Sequence, residues 1–132
     1  MVLKKHYSKD FEILFTGRLI IDPDIEVKLE EKHSVLKADL EDGLGDPYLI
    51  VLKGKQKDKI PSDRLTSRGQ KYEILCETTA NRVLYIVCRL FEDGNLLIIT
   101  AWFLDQEKPK DLNAINFYYT ESEVLMNEDE NS

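Results

Sequence analysis

Five residues in this sequence could carry chemistry: one histidine, two arginines, a tyrosine and a tryptophan. His33, in Lys32-His33-Ser34, belongs to the side-chain type that titrates nearest neutral pH, so it could serve as acid or base. Its other reading is a helix-end histidine meeting free carbonyl groups. Arg68 and Arg89 carry planar guanidinium forks suited to phosphate. Arg68 reads equally as a solvated loop arginine. Arg89 interrupts an apolar run, where an arginine must reach solvent, a carboxylate or a ligand anion. Trp102 could stack on a nucleic-acid base or pack beneath another segment. Tyr72 has the same two readings.

Other constellations are missing or weak. There is no HExxH, no Gly-rich phosphate cradle and no Ser–His–Asp signature. Cys76 and Cys88 fall in apolar segments and read as buried thiols, and without a CxxC pair no metal or other cofactor is expected. Glu73 and Glu77 lie on one side of a strand, which suggests a carboxylate pair, but on a strand this exposed they read first as solvated charges. Lys53, Lys55, Lys57 and Lys59 could grip an RNA backbone, or simply make a loop polar.

The elements that must position these residues read as follows. Phe11 to Ile21 is an apolar, β-branched run and predicts a strand, bulged or broken at Gly17. Asp22-Pro23 predicts a helix start, with Asp22 as cap and the helix running from Pro23 to about His33. Ser34 then caps a second short helix, Val35 to about Asp42, which ends at Gly43, Gly45 and Asp46-Pro47. Tyr48 to Leu52 is a short strand, and Lys53 to Gly69 a long polar loop.

Three strands follow, Lys71 to Thr78, Arg82 to Phe91 and Asn95 to Leu104. Ala80-Asn81 and Asp93-Gly94 lie at their connections, and Asp-Gly favours a two-residue hairpin turn. Links this short require antiparallel neighbours. Period-2 alternation puts Leu84, Ile86, Cys88 and Leu90 with Leu97, Ile99, Ala101 and Phe103 on the core face. Tyr85, Val87 and Arg89 then share the other face with Ile98, Thr100 and Trp102. Gln106 to Lys110 predicts one helical turn, and the aromatics of Asn116 to Tyr119 could dock on the body. The expected fold is α+β: two N-terminal helices on a mainly antiparallel sheet of about four strands.

The 132 residues are 42% hydrophobic and 33% charged, with a net charge of −7. Glu121, Glu123, Glu128, Asp129 and Glu130 carry much of it, and setting them aside leaves 20 acidic against 18 basic residues. A nearly neutral body, residues 1–120, and an acidic tail, 121–132 and disordered from Asn127 on, are expected. Such a body lacks the broad positive field of a non-specific nucleic-acid binder. The longest apolar stretch, Leu96 to Leu104, is interrupted by Thr100 and too short for a membrane span. With no apolar leader after Lys4, Lys5 and His6, a cytoplasmic protein is expected.

In order and spacing, several short motifs resemble the BrnT-type toxins of bacterial toxin–antitoxin modules, a branch of the RelE/ParE-like fold. They are Asp22-Pro23, Lys32-His33-Ser34-Val35, Asp46-Pro47, Arg68-Gly69-Gln70-Lys71-Tyr72, Arg89, Leu97 to Ala101 and Glu107-Lys108. The resemblance covers roughly three-fifths of the chain and implies an aspartate-initiated helix ending in Lys-His, a second short helix, a central hairpin and a final I-I-S-A-R-like strand. It implies a metal-independent ribonuclease whose partners are RNA and a ribbon-helix-helix antitoxin. Its site residues would be His33, Tyr72, Arg68 and Arg89, with Arg68, Arg89, Thr100 and Trp102 contacting RNA. Where the family has arginine after the Ser/Thr-Ala pair, this chain has Trp102. Its non-catalytic alternative is a protein-binding domain of the same fold.

Overall fold

A computed structural model describes residues 18–53 and 70–130, with side chains at 18–52 and 70–124. The element order is β1 (Leu19–Ile20), α1 (Pro23–His33), α2 (Lys37–Leu44), β2 (Ile50–Lys53), β3 (Gln70–Glu77), β4 (Val83–Leu90), β5 (Leu96–Phe103) and α3 (Pro109–Glu130). The fold is α+β, around a five-stranded mixed sheet in the order β1-β5-β4-β3-β2. This corrects the expected four strands and two N-terminal helices. The short β1 adds a parallel edge beside β5, and a third helix follows the sheet. Gly17, Arg68 and most of the two segments expected as a strand and a polar loop lie outside the described residues.

Pro23 opens α1 as expected, but the Asp22 side chain makes no capping bond. The Asp22 carbonyl instead accepts the Glu26 N–H at 2.9 Å, while Asp24 and Glu26 complement the positive end of the helix. Ser34 is the left-handed residue that stops α1, with φ 54°, rather than the cap of α2. Val35 N–H then closes the turn on the Leu29 carbonyl at 2.9 Å. The α2 start is held by Asp39, whose carboxylate accepts the Leu36 N–H at 2.9 Å.

Both hairpins turn through three residues. Asn81 N–H donates to the Thr78 carbonyl and Gly94 N–H to the Phe91 carbonyl, each at 2.9 Å. Asn81 (φ 61°) and Gly94 (φ 89°) follow in the left-handed region, so the Asp93-Gly94 link is not the expected two-residue turn.

In β5 the expected faces are corrected by a bulge. Val87 pairs with Thr100 but Cys88 pairs with Ile98, leaving Ile99 extra. The first half of β5 therefore changes phase. Leu96 and Ile98, not Leu97 and Ile99, join Leu84, Ile86, Cys88, Leu90, Ile74 and Ala101 beneath α1 and α2. On the opposite face, Ile115 and Tyr118 of α3 pack on Ile50, Leu52, Leu75 and Val83. Ile115, Tyr118 and Ser122 are buried at helical spacing, and α3 runs across the boundary expected at residue 120 as far as Glu130, where a disordered end was expected from Asn127.

Candidate functional site

Polar clamps hold the end of α2 and the middle of α3 to the sheet. Asp46 accepts the N–H groups of Tyr48 and Glu77, each at 2.9 Å, and the Tyr118 hydroxyl. Asp42 accepts both the N–H and the hydroxyl of Thr79, at 2.8 and 2.9 Å. Tyr119 donates its hydroxyl to Glu77. The start of α3 is thereby brought beside the ends of α1 and β5.

Between them opens a cleft of about 900 Å³. Lys32 and His33 at the end of α1, Arg82 before β4, Trp102 and Phe103 of β5, and Lys108 line it, together with Asp105, Glu107 and Asp111. Two of these acids serve the backbone. The Asp111 carboxylate accepts the Asp105 N–H at 3.0 Å, and Asp105 accepts the Glu107 N–H at 2.9 Å. They shape the turn into α3, and with Glu107 they share the walls with the cations Arg82, Lys32 and Lys108.

The His33 and Trp102 rings line the cleft, and Tyr85 stands behind Trp102. His33 and Trp102 have centroids 6.1 Å apart, and Trp102 and Tyr85 are 4.8 Å apart. The Tyr85 hydroxyl donates to Glu73 at 2.5 Å. Burial, then that carboxylate, push the Tyr85 pKa upward, so its proton stays in place. The Arg82 guanidinium lies 3.8 Å from the Phe103 ring centroid, a cation–π contact that leaves its edge for a ligand. A half-buried aromatic, an imidazole and nearby cations can together hold a planar group bearing negative charge.

The residues singled out from sequence do not all meet here. His33 and Trp102 do. Thr100 lies two residues from Trp102, opposite Val87. Arg89 shares that face but pairs with Lys71 and Leu97, roughly 13 Å along β4 from Tyr85. Tyr72 is buried among the core residues of the other face, at 5% exposure. Tyr72 and Arg89 therefore cannot touch one bound group. Glu73 is tied to Tyr85 rather than paired with Glu77.

Arg82, Lys32 and Lys108 were not foreseen. Arg82 had one legible signal, since an antiparallel hairpin sets the residue before β4 beside the residues after β5, as the Leu104 N–H bond to the Val83 carbonyl confirms. Among the described residues no cluster of three or more His, Cys, Asp or Glu could hold a metal ion, and no helix is long and apolar enough to cross a membrane. Compared with protein-family models and with curated proteins, the sequence matches none.

Proposed function

We propose that this chain is a toxin-like ribonuclease domain of a BrnT/RelE-like toxin–antitoxin module, cleaving RNA without a metal in the cleft at the end of α1. The observation that carries this reading is His33 standing against Trp102 in a cleft walled by Lys32, Arg82 and Lys108. A base stacks on Trp102. His33 takes the proton of a ribose 2′-hydroxyl, whose oxygen attacks the adjacent phosphorus and expels the 5′-oxygen of the next nucleotide. The products are a 2′,3′-cyclic phosphate and, once the leaving oxygen takes up a proton, a 5′-hydroxyl. Arg82 neutralises charge gathering on the phosphate oxygens.

The order of elements supports the reading: a helix after Asp22 ending in Lys32-His33, a second short helix, a central hairpin and a strand through Ile99-Thr100-Ala101. Arg82 supplies the cation that Trp102 displaces from the motif. Thr100 and Arg89 contact the RNA backbone further along the same face. Tyr72 takes no part in proton transfer. The protein acts in the cytoplasm, held in check by a ribbon-helix-helix antitoxin.

Expression of the chain alone should arrest growth, and the purified protein should cleave RNA in EDTA. His33→Ala and Arg82→Ala should each lower cleavage about 100-fold or more. Full activity in both variants would exclude this site. Burial of Tyr72 favours a second reading, a non-catalytic protein-binding domain of the same fold. Antitoxin capture without any RNA cleavage would select it.

A further inference from the structure

A second cavity, of about 270 Å³, lies between α3 and the sheet. Leu52, Leu75 and the Tyr85 ring form its sheet side, Ala114 and Phe117 its helix side, with Lys110 and Asn113 exposed at the rim. The Tyr85 hydroxyl is already engaged by Glu73, so the walls offer water few partners. An apolar cavity of about 150 Å³ holds one benzene ring, so this one has room for roughly ten carbon atoms. Among the described residues, no ion-pair partner is seen for Lys110.

We infer that this cavity binds a small amphipathic monoanion, a medium-chain carboxylate whose apolar part lies against Phe117 and Leu75 and whose carboxylate meets Lys110. The inference stands apart from the ribonuclease reading. It makes a neutral analogue of equal length a poorer ligand and couples the site to the neighbouring cleft. Tyr85 lines the cavity and its ring centroid lies 4.8 Å from that of Trp102, so filling one site alters the surroundings of the chain's single tryptophan. Ligand held between α3 and the sheet also stabilises the folded chain by mass action.

Octanoate is the probe, followed on the intact chain by calorimetry, melting temperature and Trp102 fluorescence, with octanamide as the neutral analogue. Octanoate should bind saturably at one site, shift Trp102 emission and bind about threefold more tightly than octanamide. Ala114→Leu, which fills the cavity, should weaken both ligands at least tenfold while remaining folded. Lys110→Gln alters only an exposed side chain and should remove the preference for octanoate. Non-saturable binding, equal affinity for the two ligands, or undiminished binding by folded Ala114→Leu would overturn the proposal. Should Ala114→Leu fail to fold, Lys110→Gln decides: loss of the octanoate preference supports the site, and its retention overturns it.

Discussion

Tyr72 and Arg89 face opposite sides of the sheet, although Tyr72 pairs with Cys88 and Arg89 with Lys71, one residue away in each strand. Tyr72→Ala should lower stability by about 3–5 kcal/mol in urea unfolding, the usual cost of removing a core aromatic. Tyr72→Phe should leave RNA cleavage unchanged. Arg89→Gln should keep the fold and weaken RNA binding, reducing the salt slope of log K by about 0.7 if Arg89 meets one phosphate of a single strand. An unchanged slope would remove Arg89 from the RNA path.

Gly43 lets α2 approach β3. A Cβ built there would stand 2.8 Å from the Cys76 sulfur and 3.3 Å from Leu84 Cδ2. Glycine to alanine within an exposed helix gains up to about 1 kcal/mol, but here the clash should reverse the sign. Gly43→Ala should cost about 1–3 kcal/mol. Adding Cys76→Ala should recover part of that loss relative to Cys76→Ala alone. Additive costs in the double-mutant cycle would deny the contact.

Stability should fall in alkaline solution. Burial, above all, raises the Cys76 and Cys88 pKa values from an ordinary 9.0. Burial and the Asp46 carboxylate raise that of Tyr118, and the Glu77 hydrogen bond, then burial, push Tyr119 up to about 12. Each group holds its proton more firmly when folded. Its contribution is therefore complete below the unfolded pKa and is lost as pH rises towards the folded one. The urea midpoint should begin to drop near pH 9 and fall further above about pH 10, where unfolded tyrosine ionises. Tyr118→Phe should flatten the upper part of this fall. A constant midpoint to pH 11 would contradict the assignment.

Two aspartates that precede prolines should differ sharply. Asp22 makes no side-chain cap, so Asp22→Ala should cost less than about 0.5 kcal/mol, its share of the helix-dipole interaction. Asp46→Ala removes the acceptor of two N–H groups and of the Tyr118 hydroxyl. A loss of about 2–3 kcal/mol is expected from hydrogen bonds to a charged group. Chemical denaturation of the two variants side by side checks the difference.

The start of α1 at Pro23, its end at His33, and the antiparallel run of β3, β4 and β5 are legible in the residues alone. These follow from local rules: a ring that fixes φ at a helix start, and links too short for anything but neighbouring strands. The docking of Phe117 and Tyr118 was also legible, because apolar surface seeks cover. The phase of β5 was set by packing against α1 and α2. Leu96-Leu97-Ile98-Ile99 is apolar throughout, so no alternation reveals the extra Ile99 or which pair is buried. The acidic segment belongs to α3 although its charges suggest a solvated tail, because Ile115 and Tyr118 pack on the sheet and Ser122 is buried. The cleft itself joins Lys32, Arg82, Trp102 and Lys108 from four separate parts of the chain. No local pattern encodes that meeting. It follows from the end of α1, the hairpin and the start of α3 meeting at one corner of the sheet.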